Sequence, residues 1–235
     1  MLSIIIPTYN ESDHLPALVR QIFEVCSHHR LKTEVILLDD NSPDGTGEMA
    51  YYLRKFFPNL KTLHRKQKLG HASALLEGIA ESSGAVIGTL YGDFSHPPEL
   101  IPHLVLPIMH GNMDIAIGSR YLPESVRDLS LLKRLRRRTL QSMYQPLTGI
   151  HDSLSGFFFF RRDLLNHVQI PHEAPAFLPE LLVRSRFRVA QEMPYNYQPI
   201  TDKRDPLASP LRWLDYLTQL AILYKVKIVS SKRGH

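Results

Sequence analysis

Asp93 stands at the end of an apolar run, Ala85-Val86-Ile87-Gly88-Thr89-Leu90-Tyr91-Gly92-Asp93, and Phe94-Ser95-His96-Pro97-Pro98-Glu99 follows it. A carboxylate at such a point can accept hydrogen bonds or hold a hard cation. Two other runs finish on similar chemistry. Ser3-Ile4-Ile5-Ile6 passes into Pro7-Thr8-Tyr9-Asn10-Glu11, and Glu34-Val35-Ile36-Leu37-Leu38 passes into Asp39-Asp40-Asn41-Ser42-Pro43-Asp44-Gly45-Thr46. Asp39 and Asp40 are adjacent, so on an extended chain they point to opposite sides and at most one can lie against a ligand. Both could instead cap the turn before Thr46, since Asx turns are common.

Elements must bring these groups together. Each run is rich in apolar residues and too short for an ordinary helix, so each reads as a buried strand. Pro97-Pro98-Glu99 opens a helix, with proline in its first turn and an acid near its positive end. In open α/β sheets, ligands bind beyond the carboxyl ends of the strands. Three strands with polar tips therefore predict one shared crevice, with Asp93 facing the ligand. Ser12 is placed to cap a helix carrying Leu15, Leu18, Val19, Ile22, Phe23 and Cys26 on one face, closed by Arg30-Leu31-Lys32. Further helices are predicted from Gly47 to Phe57, Ala72 to Glu81 and Glu99 to Met109, with strands at Leu60 to Leu63 and Asp114 to Ile117. His64 to Gly70 is a basic loop, which for a lone charge run is usually a solvated turn.

Beyond Tyr121 the pattern is less regular. Leu129 to Tyr144 reads as a basic amphipathic helix holding Lys133, Arg134, Arg136, Arg137 and Arg138. Its leucines, Leu129, Leu131, Leu132, Leu135 and Leu140, interleave with the charges, which suits an anionic bilayer interface better than nucleic acid. A turn into an aromatic strand is expected at Ser155 to Phe160. A helix follows from Pro179 to Arg186, then a strand from Arg188 to Tyr197 interrupted at Pro194, and an amphipathic end from Leu211 to Tyr224.

A chain of 235 residues with 43% hydrophobic content can bury one good core, so a single α/β domain with a mostly parallel sheet is expected. The formal charge of +5 permits anionic partners without choosing among them. Cys26 is the only cysteine, which excludes a disulfide framework and favours a reducing compartment. No basic-then-apolar leader opens the sequence and no stretch reaches the roughly 18 apolar residues of a membrane span. The expected location is therefore cytoplasmic, with any lipid contact made from the side.

The three strand tips together resemble a family-2 glycosyltransferase of the GT-A fold. The Ser-His-Pro-Pro-Glu tail and the Gly118-Ser119-Arg120-Tyr121 run resemble more narrowly the dolichol- or polyprenol-phosphate sugar synthases of the mannose type. That resemblance implies a nucleotide-sugar-binding half over 1–121 and an acceptor- and membrane-facing half over 122–235. It implies that Pro7, Thr8, Tyr9 and Glu11 line the base and ribose pocket, and that Asp39 or Asp40 accepts hydrogen bonds from the base. In the family a Gly-rich loop at the place of Arg65 to Gly70 crosses near the diphosphate, and here Gly70-His71-Ala72 has alanine where many relatives show the second glycine of Gly-x-Gly. At the organising strand the family shows Asp-x-Asp and a later polar ligand, which hold a divalent ion against the diphosphate. This chain has Tyr91-Gly92-Asp93 with Ser95 after it, so Asp93 remains as the implied ligand of Mg2+ or Mn2+. A phenol with its ordinary pKa of roughly 10 is a poor ligand for such an ion, and His96 suits softer metals.

For the acceptor's phosphate, the resemblance implies a grip by Arg120 and a second basic residue, Arg134. Arginine's planar fork donates to two oxygens at once. Lys203 and Arg204 could also meet phosphates, although the family's Gly-x-Ser-Lys loop is absent there. Asp152-Ser153-Leu154-Ser155-Gly156-Phe157 resembles the family's Asp-Pro-Thr-Ser-Gly-Phe run. The implied reaction is inverting transfer of a sugar from a GDP- or UDP-linked donor to a polyprenyl or dolichyl phosphate at the cytosolic membrane face. An ionised phosphate needs no strong base, and if one acts, Asp93 and Asp152 are both open. Two rivals stand beside this reading: a binding protein that kept the fold and lost the chemistry, and a transferase with a soluble acceptor.

Overall fold

The computed structural model describes residues 1–122, 131–197 and 210–232. Among the described residues, seven strands form one sheet: β1 (Leu2–Thr8), β2 (Thr33–Asp39), β3 (Leu60–His64), β4 (Val86–Thr89), β5 (Ile115–Ser119), β6 (Phe158–Arg161) and β7 (Ala190–Pro194). Their order across the sheet is β3-β2-β1-β4-β6-β5-β7. The strands predicted to share a crevice are thus neighbours, β2-β1-β4, all parallel. Leu2 lies opposite Thr33 and Val86, and Thr8 opposite Asp39, so the three polar tips emerge at one edge.

β6 runs antiparallel and separates β4 from β5. Its three phenylalanines, with Phe157 just before them, alternate with the pleat. Phe157 and Phe159 enter one core, and Phe158 and Phe160 the other. Each is at most 1% exposed, worth roughly 1.5–3 kcal/mol per ring. Gly88 of β4 lies opposite Phe159, whose ring occupies the space that a Cβ there would need.

Helices α1 (Leu15–His28), α2 (Thr46–Leu53) and α4 (Ile101–Met109) cover the first face, and α3 (His71–Glu81) and α6 (Phe177–Arg184) the second. The cap predicted at Ser12 is absent. α1 starts after His14 without a side-chain cap, and the Ser12 amide instead donates to Asp44 Oδ2 at 3.1 Å. The Pro97-Pro98-Glu99 start is a 3-10 turn, Pro98–Leu100, leading directly into α4.

α5 (Leu131–Thr148) and α7 (Pro210–Lys232) complete the fold. They share a third apolar cluster of Leu140, Tyr144 and Leu147 with Tyr216, Leu220 and Leu223. Tyr144 is fully buried and its hydroxyl donates to the Tyr216 carbonyl at 2.7 Å. α7 runs well past the predicted end at Tyr224, and much of its surface there is exposed. No helix among the described residues is long and apolar enough to cross a membrane.

Candidate active site

A cavity of about 380 Å³ lies at the carboxyl ends of the central strands. Pro7, Thr8 and Tyr9 line it from the tip of β1, Asp40 from β2, and Lys68, Gly70 and His71 from the loop into α3. Arg120 and Tyr121 follow β5, and Arg212, Asp215 and Tyr216 come from α7.

At the nucleotide end the adjacent acids separate, as the pleat requires. Asp40 is on the wall and pairs with Arg65 at 3.0 Å. Burial pushes its carboxyl above the ordinary value, against the pull of Arg65 and Lys68. Asp39 is not on the wall. Its Oδ2 accepts from the Ser42 amide at 3.1 Å and pairs with His64 Nδ1 at 3.1 Å, so it closes the turn. Glu11, grouped with the pocket from sequence, is 3% exposed and also off the wall. Its amide donates to Thr46 Oγ1 at 2.9 Å, which docks the β1 tip on α2. Asn10 and Asn41 both take the left-handed conformation, with φ of 59° and 56°, that asparagine tolerates.

The β4 tip departs most from expectation. Asp93 does not line the cavity. It is 2% exposed, and its Oδ1 accepts from the Ser95 amide at 3.1 Å and the Ser95 hydroxyl at 2.6 Å. Tyr91 lines the wall instead. Its ring stacks on His96 at 4.6 Å, meets the His71 ring edge-on at 5.8 Å, and lies so close over Gly156 that any Cβ there would clash. Burial pushes the Tyr91 phenol up, so it stays neutral. The Tyr91 amide donates to His96 Nδ1 at 3.0 Å, which puts the His96 proton on Nε2. His96 is fully buried, and burial drives its pKa well below the ordinary imidazole value. It is a core ring and not a ligand.

These residues do not fit the expected Mg2+ or Mn2+ site. Hard cations require anionic or carbonyl oxygens. Here the first position is a neutral phenol, Asp93 Oδ1 is engaged by Ser95, and Ser95 is 1% exposed. Among the described residues no three His, Cys, Asp or Glu side chains are grouped to hold a metal ion.

At the other end, Arg120 is clamped by Asp152. Arg120 Nε donates to Oδ2 and Nη2 to Oδ1, each at 2.8 Å, while the Arg120 amide donates to Oδ2 at 2.9 Å. Burial alone would ease Arg120 toward losing its proton, but Asp152 outweighs it and holds the guanidinium charged. Asp152 is fully buried, and Glu192 holds its backbone amide at 2.9 Å. With both oxygens engaged, Asp152 orients Arg120 and is not a free base. The Arg134 side chain, and Lys203 and Arg204 altogether, lie outside the described residues.

Sequence reasoning missed the wall contributions of His71, Arg212 and Tyr216, and left Arg65 in a loop open between a solvated turn and a place near the diphosphate. Arg65 is 5% exposed and also donates to Ser73 Oγ at 2.9 Å. The signal for it was the unpaired Asp40, which needed a cation once buried.

The model for Glycosyl transferase family 2 matches residues 3–169. The chain belongs to this family. A dolichol-phosphate mannosyltransferase from Pyrococcus furiosus is 33% identical over 83% of the chain and 56% of its own length. The chain therefore spans little more than half of that relative. A dolichol-phosphate mannosyltransferase from Saccharomyces cerevisiae is 31% identical over 96% of the chain and 87% of its length. Among solved structures, a glucosyl-3-phosphoglycerate synthase from Mycobacterium tuberculosis, crystallised with Mn2+, UDP-Glc and phosphoglyceric acid, superposes with a TM-score of 0.66 at 20% identity, covering 94% of this chain and 80% of that one. That likeness shows the GT-A fold. The family-2 assignment rests on the sequence matches, and most of the cavity wall falls within residues 3–169.

Proposed function

We propose that this family-2 protein transfers a sugar from a GDP- or UDP-linked donor to a polyprenyl or dolichyl phosphate, with inversion, at the cytosolic face of a membrane. The observation that carries the reading is the clamped arginine. Arg120 sits on the same cavity as Asp40 and Tyr9, and Asp152 fixes its charge and direction. Asp40 serves as the acceptor for the base's N–H groups, with Pro7, Thr8 and Tyr9 around the nucleoside. Arg120, with Arg134, Lys203 and Arg204 as further candidates, meets the acceptor's phosphate.

The chemistry asks little of the protein beyond placement. An ionised phosphate oxygen attacks the anomeric carbon, the bond to the diphosphate breaks, and its electron pair leaves on the nucleoside diphosphate. In-line positioning and stabilisation of the leaving charge supply the rate. Residues 1–121 thus serve as the donor half and 122–235 as the acceptor half, with the exposed faces of α5 and α7 toward lipid. Names of the archaeal and yeast relatives support this acceptor class.

A second reading, transfer to a soluble phosphorylated acceptor, is favoured by the burial of Leu140 and Tyr144, which turns half of α5 into the domain. The deciding experiment offers labelled GDP- and UDP-sugars to the full chain with either a short polyprenyl phosphate or water-soluble sugar and glycerate phosphates. Transfer to the lipid supports the first reading. Transfer only to soluble acceptors supports the second, and nucleotide binding without any transfer marks a binding protein.

A further inference from the structure

Among the described residues, two cations that line the cavity, Lys68 and Arg212, have no acid in ion-pair contact. Lys68 Nζ stands 4.0 Å from the centre of the Tyr9 ring. Neither Lys68 nor Arg212 has a carboxylate oxygen within 4 Å among the described residues, although both line the cavity. The acids sharing the wall are elsewhere engaged or apart. Asp40 pairs with Arg65, and Glu173 and Asp215 make no ion pair with either cation. Burial lowers the proton affinity of Lys68, Asp40 partly restores it, and Arg212 lowers it again, so the two cations sense each other across the space. Like charges held together over a lined cavity gain most from an anion that lies between them.

The opposite side of the same cavity has lost negative charge. Tyr91 occupies the place of the family's first acid, and its neutral ring is fixed between His71, His96 and Gly156. Asp93 is withdrawn into its turn with Ser95. A carboxylate at position 91 would repel a diphosphate unless a cation intervened, whereas tyrosine removes the repulsion along with the need.

We propose that Lys68, together with Arg212 reaching the shared cavity from the acceptor half, binds the diphosphate of the donor nucleotide directly, in place of a divalent cation, so that donor binding by this chain is metal-independent. This rests on the nucleotide-sugar reading above. As the anomeric C–O bond breaks, negative charge collects on the departing diphosphate oxygen, and fixed cations there stabilise it. The acceptor's phosphate oxygen forms the replacing bond, and the nucleoside diphosphate carries away the electron pair.

Calorimetry on the full chain with GDP, UDP, GMP and UMP tests this, each titrated in excess EDTA and again in manganese. The expected result is a diphosphate affinity equal within about twofold in the two conditions, with Lys68→Gln and Arg212→Gln each weakening it by about fivefold or more and weakening the monophosphates less. Both side chains are exposed, and circular dichroism confirms that the variants fold. Diphosphate binding that appears only with manganese, alongside glutamine variants that bind like the wild type, would overturn metal independence while sparing the nucleotide reading. No nucleotide binding in either condition would overturn both.

Discussion

Replacing Asp40 by alanine removes a carboxylate from the cavity wall and also takes from the buried guanidinium of Arg65 its nearer acid, leaving Glu77 at 3.4 Å and the Ser73 hydroxyl. Binding and folding must therefore be read separately. Asp40→Ala should lose at least a few-fold in GDP or UDP affinity by calorimetry, since a hydrogen bond to a charged group is worth roughly 1.5–3 kcal/mol. Asp39→Ala should keep its affinity and lower the thermal midpoint, because Asp39 holds Ser42 and His64. An affinity loss in Asp39→Ala alone would reverse the two roles. That at most one of the pair would line the cavity was legible from adjacency; which one was not, because β2's register against β1 and β3 decides it. Tyr91 gives the sharper test. Tyr91→Asp puts an acid beside the donor diphosphate, so nucleotide should bind more weakly than to wild type in EDTA and recover in manganese. Equal binding in the two conditions would mean that position 91 does not reach the diphosphate. The replaced ring also removes one of the two rings stacked on His96, leaving Phe157 on the other side, so the variant should melt lower.

Helices α5 and α7 divide their surfaces between a packed seam and an open face. Leu140, Tyr144 and Leu147 meet Tyr216, Leu220 and Leu223 inside. Outside, Leu135 is 63% exposed on α5 next to the basic run, and Leu214, Ile222, Ile228 and Val229 are exposed along α7. The leucine–arginine interleaving of α5 was visible in the sequence, but the inward turn of its C-terminal half was not, since the partner seam lies some seventy residues later on α7. A lipid-facing role predicts flotation with anionic vesicles, each cation near the surface giving about 1 kcal/mol. Arg136, Arg137 and Arg138 changed together to glutamine should release the protein from phosphatidylserine vesicles. Equal binding of wild type to neutral and anionic vesicles would assign the contact to the apolar row on α7 instead.

For the molecule as a whole, acid is the expected weakness. Burial holds His71 down to about 4, and His96 well below the ordinary imidazole value. Both are neutral when folded and take up protons more readily when unfolded, so stability should begin to fall as pH drops below about 6.5. Glu34 adds to this lower down. Burial would raise its pKa, but donors from Ser3, Ser83 and Lys61 outweigh that and hold it at about 2. Its contribution is present above its ordinary value near 4.5 and drains away as pH falls toward 2. Thermal midpoints that stay level from pH 7 to pH 5 would contradict the histidine assignment. At this scale the alternation of strands and helices was legible through the fifth strand, as was the common edge of three tips. The placement of Phe158–Arg161 was not, because four consecutive phenylalanines announce a strand buried on both faces and say nothing of its direction or neighbours. That placement has a consequence for recombination. β6 pairs Val86 with Arg161 and also carries β5, so the strand that completes the donor half is encoded in the acceptor half. A fragment 1–121 would leave β4 with an open edge and β5 with no strand beside it, and should be recovered insoluble unless 122–235 is co-expressed. Acceptor preference therefore cannot be exchanged between relatives by a cut at Tyr121; a viable crossover has to carry Phe158 to Arg161 along with the donor half it supports.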